Sequence, residues 1–205
     1  MDIYAREYAV VDIETTGLDP ERGDRIIEVA IVIYSPLKGE IDVFTSLLNP
    51  SRDCGPTSIH GLTDSDLESA PAFANLAGNI GEYLYGRIPV AHNARFDKRF
   101  IDFEYELLGY DTRRIPWLCT LKMASIAEID CKPLSLPLLC DYLGILHPRT
   151  HTALNDARAT AQLFARLIKY EQCVKYLEGL AKILKKSSFS SWPRFPATKQ
   201  PSPRV

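Results

Sequence analysis

The chain has 205 residues, of which 46% are hydrophobic, so it can bury a full core. Its formal net charge of −2 excludes a globally basic surface, and any binding of nucleic acid must therefore come from local patches. Five scattered cysteines without a Cys-x-x-Cys pair argue against a zinc site or a disulfide framework. The sequence shows no signal-peptide pattern and no apolar segment of membrane-spanning length, so we expect a cytoplasmic protein without membrane contact.

Hydrophobic periodicity predicts three consecutive strands at the start of the chain. They cover 10–17, 25–34 and 40–48, and turn residues such as Gly, Pro and Asp fill the breaks between them. Short links between successive strands indicate an antiparallel meander. Two further short strands are predicted at 88–91 and 116–120.

The rest of the chain has mostly helical periodicity. Short turns are predicted at 56–63 and from 64, and helices over 71–85, 94–108, 121–128, 134–143, 152–170 and 171–186. This order predicts an α/β fold in which helices flank a mixed five-stranded sheet. Residues 1–186 then form one domain, and the Ser- and Pro-rich segment 187–205 is predicted to be a disordered tail. Its aromatic residues Phe189, Trp192 and Phe195 could alternatively anchor it to a partner.

The first strand carries two acidic residues, Asp12 and Glu14, on one face, because strand residues two positions apart project the same way. Two anions about 6 Å apart repel by about 3 kcal/mol at an effective dielectric constant of about 20. A strand that only had to fold would gain by losing one of them. The pair suggests a divalent-cation site, but an Asp-x-Glu pair is common and both acids could simply reach solvent, so the hypothesis requires further ligands elsewhere in the chain. Glu28, inside the second strand, is interpreted either as structural or as a residue that supports the metal ligands, and not as catalytic.

Two further aspartates are each predicted on the first turn of a helix. Asn93 is a good N-cap for the helix that carries Asp97, and Thr152 could cap the helix that carries Asp156. A carboxylate at this position interacts favourably with the helix dipole, which by itself could explain either aspartate. His151 lies just before the second helix, where an imidazole can face a site.

Three segments together resemble the motifs of the DnaQ-like (DEDDh) 3′–5′ exonucleases, a family that includes the proofreading subunit of the bacterial replicative polymerase. They are VDIETTG at 11–17, AHNARFD at 91–97 and HTALNDA at 151–157, in the family's order and spacing. The stretch IHGLT at 59–63 matches a further loop of the family. A sister subclass has tyrosine where this chain has Thr152, so the histidine subclass is indicated. The resemblance implies a ribonuclease H-like fold.

The resemblance also implies how the acidic residues are used. Asp12 should bridge two divalent cations, Mg²⁺ or Mn²⁺. Glu14 and Asp156 should hold the cation that carries the attacking water, and Asp97 should support the second cation. His151 should act as the general base, since imidazole titrates near neutral pH.

Substrate contacts implied by the resemblance involve Thr15, Thr16, His60, Asn93 and Phe96. Phe96 could equally be an ordinary core residue. The expected reaction removes nucleoside 5′-monophosphates from the 3′ ends of single-stranded DNA, in proofreading or repair, with a DNA polymerase as a candidate partner. Two alternatives stay open: an exoribonuclease that trims RNA 3′ ends, and a non-catalytic nucleic-acid or polymerase adaptor.

Overall fold

A mixed sheet of five strands forms the centre of this computed structural model, which describes residues 3–148, 152–186 and 192–193. Helices cover both faces of the sheet, so the predicted α/β architecture is confirmed. The strands are β1 (Tyr8–Thr15), β2 (Ile26–Ser35), β3 (Gly39–Leu47), β4 (Ile88–Ala91) and β5 (Leu118–Cys119).

Strand β1 lies in the middle of the sheet, whose order is β3-β2-β1-β4-β5. It pairs antiparallel with β2 and parallel with β4, and β2 pairs antiparallel with β3. The predicted meander is therefore confirmed. Strand β5 is shorter than the predicted 116–120 because Thr120 already begins the following helix.

Within the described part of the chain, two helices pack on one face of the sheet and four on the other. The first face carries α3 (Phe73–Leu84) and α4 (Arg95–Leu107); the second carries α5 (Thr120–Ile126), α6 (Leu136–Leu143), α7 (Ala153–Leu167) and α8 (Glu171–Lys186). The single turns α1 (Thr57–His60) and α2 (Asp64–Leu67) form part of the connection between β3 and α3. Among the described residues, no helix combines the length and apolar character needed to cross a membrane.

Side chains of β1 alternate between two apolar cores, as its period of two requires. Tyr8 and Val10 belong to the core beneath α7, whereas Val11 belongs to the core beneath α3 and α4. All three are fully buried, and each large apolar side chain buried in this way contributes about 1.5–3 kcal/mol. The same alternation assigns Asp12 and Glu14 to the face that α7 covers.

The two predicted helix caps have different outcomes. Thr152 caps α7, and its hydroxyl accepts a hydrogen bond from the Asn155 N–H at 3.4 Å. Asn93 was wrongly predicted to cap α4, whose N-cap is Ala94 without a side-chain hydrogen bond. Asn93 instead has a φ of 58°, because the chain turns sharply after β4 and asparagine tolerates the left-handed conformation better than most residues.

Trp192 lies within the segment predicted to be a disordered tail, yet its side chain is buried, with 2% exposure. Its ring lies 5.6 Å from that of Tyr105 and 6.4 Å from that of Trp117, measured between centroids. Most of 187–205 lies outside the described residues, so the predicted domain boundary at residue 186 stays a prediction.

Candidate active site

Three carboxylates converge near the C-terminal end of β1. One oxygen from each of Asp12, Glu14 and Asp156 lies within 4.8 Å of the other two. The first two project from β1, and the third comes from the first turn of α7, which packs across β1 and β2. A donor set made of carboxylate oxygens fits a hard cation such as Mg²⁺ or Mn²⁺ better than it fits zinc.

Asp97 approaches this cluster from the first turn of α4 and is 3% exposed. Its carboxylate accepts hydrogen bonds from the backbone N–H groups of Ile13 and of Asp97 itself. Because Ile13 lies between Asp12 and Glu14, the bond fixes Asp97 beside the pair. The structure therefore brings together all four of the predicted acidic residues.

Mutual repulsion and burial alter the protonation of these carboxyl groups. Burial raises the pKa of Asp12 well above its usual value. Electrostatic repulsion raises it further, and the contributions decrease in the order Asp97, Asp156, Glu14 and Glu28. Burial, followed by repulsion from Glu28 and Asp156, raises the pKa of Glu14 to about 7. Burial raises the pKa of Asp97 to about 8, and Glu14 contributes further. Positive charge at this position would relieve the repulsion.

The predicted general base, His151, lies outside the described residues. A different histidine, His147, contacts the cluster: its Nε2 lies 2.6 Å from Oδ1 of Asp156, and its side chain is 5% exposed. Sequence reasoning missed this residue. The available signal was the segment HPRTH at 147–151, which places a second imidazole just before the last motif.

Glu28 also lies at the edge of the cluster, where the sequence suggested a structural or supporting residue. It is the direct cross-strand partner of Glu14, and its Oε2 accepts a hydrogen bond from the Ala153 N–H at 3.1 Å. Burial raises the pKa of Glu28, the Ala153 N–H opposes that shift, and Asp156 adds to it. The signal that could have identified Glu28 is the period of β2, which places it on the face that α7 covers.

The predicted substrate residues Thr15 and Thr16 are both buried; Thr15 ends β1, and Thr16 begins the loop that follows it. The Thr15 hydroxyl donates to the Gly17 carbonyl at 2.6 Å. The Thr16 hydroxyl donates to Oδ1 of Asp24 at 3.3 Å and accepts from the Arg25 N–H at 3.1 Å. Both hydroxyls therefore brace the loop behind the carboxylates.

His60 is buried, with 4% exposure, in the loop that contains α1. Its Nδ1 accepts a hydrogen bond from the Leu62 N–H at 3.1 Å, whereas its Nε2 is buried without a partner among the described residues. The same loop makes a close backbone contact with the first motif at Gly55, where an added Cβ would lie 2.1 Å from the Thr16 carbonyl oxygen. As far as the described residues go, one ring nitrogen of His60 therefore has no hydrogen-bond partner, and it lies in a loop that contacts the first motif.

Asn93 and Phe96 line one surface cavity of about 180 Å³. Phe96 is half-buried, and its ring lies 5.1 Å from that of Phe100 between centroids. Phe96 packs on the core and also forms a wall of the cavity. Both interpretations, a core residue and a substrate contact, therefore have support. The remaining lining residues are Leu18, Arg95, Arg99 and Phe100.

Comparison with known proteins identifies the family of this chain. The family model described as Exonuclease matches residues 9–164. The DNA polymerase III subunit epsilon-like protein of Rhodobacter capsulatus is 36% identical over 166 residues, which cover 78% of this chain and 23% of that protein. The DNA polymerase III subunit epsilon of Buchnera aphidicola is 31% identical over 183 residues, which cover 82% of this chain and 74% of that protein.

Among solved structures, Exonuclease X in complex with 5′ overhanging duplex DNA matches with a TM-score of 0.64 at 25% identity. The match covers 82% of this chain and 98% of that one. The expected ribonuclease H-like fold is confirmed. All four acidic residues fall within the stretch that the family model matches. The chain therefore belongs to the exonuclease family, in its DnaQ-like branch, as the three sequence motifs indicated.

Proposed function

We propose that this chain is a metal-dependent 3′–5′ exonuclease that hydrolyses the terminal phosphodiester bond of single-stranded DNA and releases nucleoside 5′-monophosphates. The observation that carries this proposal is the convergence of Asp12, Glu14 and Asp156 within 4.8 Å, beside the buried Asp97. Two divalent cations, Mg²⁺ or Mn²⁺, would neutralise charge on the attacking and leaving oxygens of such a reaction.

The position of each carboxylate supports its proposed role. Asp12 is repelled by all the other acidic groups of the cluster, so it occupies the centre and suits a ligand shared by both cations. Glu14 and Asp156 lie together on the α7 side and would hold one cation. Asp97 reaches the site from α4 and would support the other cation.

His151 is our proposed general base, which would take a proton from the attacking water. His147 already engages Oδ1 of Asp156 at 2.6 Å. That contact suits a histidine that holds a carboxylate in place, so we assign proton transfer to His151 and orientation of Asp156 to His147.

We propose that the terminal nucleotide occupies the cavity between Asn93 and Phe96. The aromatic wall offers a surface for a sugar or base, and Arg95 lines the same cavity as a cation for a phosphate. The unpartnered Nε2 of His60 adds a hydrogen-bond donor from the neighbouring loop. Thr15 and Thr16 would act by bracing this part of the site.

The relatives favour DNA over RNA as the substrate. Two of them are named as epsilon or epsilon-like subunits of DNA polymerase III, and the matched Exonuclease X structure contains DNA. We therefore infer a role in proofreading or repair, a DNA polymerase as a partner and a cytoplasmic location. The adaptor alternative has less support, because an adaptor has no need for four mutually repelling carboxylates.

A matched degradation assay tests the proposal. Single-stranded DNA and RNA of the same sequence, labelled at the 5′ end, are incubated with the protein and Mg²⁺. We expect a ladder of shortened DNA, a slower reaction on RNA, and no reaction in EDTA. The absence of a ladder on either strand, with bound metal confirmed, would refute exonuclease activity.

The variant Asp12→Asn tests the role of the carboxylate cluster in the same assay. We expect it to lower the rate at least about 100-fold, more than the loss of a residue that only orients a ligand. Asp141→Asn, an exposed aspartate on α6, serves as the control and should degrade DNA at the rate of the unaltered protein. A similar rate for Asp12→Asn would contradict the assigned role of Asp12.

A further inference from the structure

Glu28 occupies a position in β2 that links the carboxylate cluster to the helix that carries Asp156. Its neighbours two and four residues along the strand, Ala30 and Val32, belong to the core beneath α7, so Glu28 faces the same helix. In the antiparallel pair, Glu28 lies directly opposite Glu14. A negatively charged side chain here is unfavourable unless it has a specific contact.

The contact is a hydrogen bond from the first residue of α7. The Ala153 N–H donates to Oε2 of Glu28 at 3.1 Å, and Ala153 itself is fully buried. The first N–H groups of a helix have no partner within the helix, and its N-terminal end carries partial positive charge. Thr152 satisfies the N–H of Asn155, so two different side chains hold the first turn of α7.

Asp156 lies on that same turn, and its backbone N–H bonds to the Thr152 carbonyl at 3.1 Å. A shift of the first turn would therefore move the Asp156 carboxylate relative to β1. Glu28 and Glu14 are carried by paired strands, so the bond to Ala153 ties the helix to the part of the sheet that carries the other ligands.

We propose that Glu28 is a positioning residue, whose carboxylate fixes the first turn of α7 against β2 and so sets the position of Asp156 relative to Asp12 and Glu14. This inference rests on the proposed function, because the spacing of the three carboxylates matters when they share cations. Glu28 acts through Ala153 and Asp156, and the hydrogen bond, rather than the charge, carries its effect.

Three variants separate the hydrogen bond from the charge. Glu28→Gln keeps an oxygen acceptor at the same reach and removes the charge. Glu28→Asp keeps the charge but is one methylene shorter, so it cannot reach the Ala153 N–H. Glu28→Ala removes both features. If the bond positions Asp156, the Gln variant behaves like the unaltered chain, and the Asp and Ala variants share the defect.

Two measurements on the full chain provide the test. Hydrogen exchange of the metal-free protein follows the amides of residues 153–156, and we expect faster exchange in the Asp and Ala variants only. Calorimetric titration with Mn²⁺ follows the assembled site, and we expect affinity about 10-fold weaker in those two variants and close to normal in the Gln variant. The activity on DNA should follow the Mn²⁺ affinity.

Glu40 offers a matched control, because it also connects the sheet to α7. It forms an exposed ion pair with Arg158, with N–O distances of 3.0 and 2.8 Å, further along the helix. Glu40→Ala should leave Mn²⁺ affinity and exchange at 153–156 unchanged. A Gln variant as defective as the Ala variant would overturn the proposal, as would an Ala variant with normal exchange. If the variants show the expected exchange but the unaltered chain has no nuclease activity, the result contradicts the proposed function and leaves the positioning role of Glu28 supported.

Discussion

At the scale of single residues, the repulsion between the carboxylates of the site depends on pH. The folded state raises the pKa of Glu14 from 4.5 to about 7 and that of Asp97 from 3.8 to about 8. Between the ordinary and the raised values, the folded protein binds more protons than the unfolded chain. The contribution of these groups to stability is therefore complete below about pH 4 and is lost as the pH rises through 7 to 8.

We expect the metal-free protein to lose stability between about pH 4 and about pH 8, the range between the ordinary and the raised pKa values of these groups, and Mn²⁺ to restore much of it at the higher pH. Urea unfolding in EDTA at several pH values measures the loss. Glu14→Gln, which removes one of the shifted titrations, should show a shallower decline. An equal decline in this variant would show that Glu14 does not contribute.

The two histidines should respond differently to substitution. His151→Ala should lower the rate at saturating Mg²⁺ at least about 100-fold and leave metal affinity unchanged, because a general base acts on the attacking water. His147→Ala should instead weaken metal affinity, because Asp156 loses the group that holds it. Rate measurements over a range of Mg²⁺ concentrations, with Mn²⁺ titrations, separate the two effects. The reverse pattern would exchange their roles.

The acidic site residues could be predicted from the sequence because each lies in a short motif with its own local signal. Asp12 and Glu14 share a strand face, and Asp156 follows a helix cap, so local periodicity places them correctly. The contacts of His147 and Glu28 with α7 depend on how that helix packs against the sheet. Local patterns place Glu28 on the covered face of β2 and a second imidazole before the last motif, but they do not specify which groups these side chains contact. His147 was therefore missed, and the contact of Glu28 with Ala153 could not be predicted.

At the scale of secondary structure, an ion pair links the start of β2 to α4, the helix that carries Asp97. Arg25 donates to both carboxylate oxygens of Glu104, at 2.7 and 2.6 Å. The Glu104 side chain is 3% exposed, so the loss of Arg25 would leave a buried charge without compensation.

We expect Arg25→Ala to lower the free energy of unfolding by about 3 kcal/mol, as measured in urea. Addition of Glu104→Gln to this variant should recover part of the loss, because the uncompensated charge is then removed. A double variant less stable than Arg25→Ala alone would contradict this explanation. Thermal unfolding of both variants provides a second measurement.

The order of strands and helices could be predicted because their hydrophobic periods differ clearly. Their boundaries were less predictable, since ends depend on caps and on neighbouring elements. The predicted helix 152–170 stops at Leu167, and α8 begins as a separate helix at Glu171. Asn93 was assigned to a cap by residue preference alone, but the tight connection from β4 requires it in the turn.

At the scale of the whole molecule, the central strand determines where distant segments meet. Strand β1 contacts β2 on one side and β4 on the other, while α7 crosses its face. Each neighbour leads to one further part of the site: Glu28 from β2, Asp97 after β4, and Asp156 from α7. A site of this kind requires the complete fold, because its groups are separated by up to 144 positions along the sequence (156 − 12 = 144).

The sequence pattern of the C-terminal segment predicted disorder because Ser and Pro are frequent and acidic residues are absent. The composition of this segment does not show whether one of its aromatic side chains is buried. Trp192 is 2% exposed near Tyr105 and Trp117, which belong to the core beneath α3 and α4. The helix that precedes this segment, α8, packs instead on the opposite core through Leu177. Trp192 therefore connects the C-terminal segment to the face of the sheet that α8 does not cover.

This connection predicts that Trp192 contributes to the stability of the whole molecule. Trp192→Ala should lower the free energy of unfolding by about 3 kcal/mol, because the loss of the indole leaves a cavity in an aromatic core. Trp192→Phe should cost less, since the indole Nε1 has no hydrogen-bond partner among the described residues.

A chain that ends at residue 186 should be destabilised as much as Trp192→Ala, whereas Tyr142→Ala, at a side chain with 55% exposure, should have little effect. Urea unfolding monitored by tryptophan fluorescence compares these proteins under one condition: Trp192→Ala, Trp192→Phe, the chain that ends at residue 186, and the control Tyr142→Ala. Equal stability of Trp192→Ala and the unaltered chain would mean that the segment does not bind the core. The compositional prediction of disorder would then apply to residue 192.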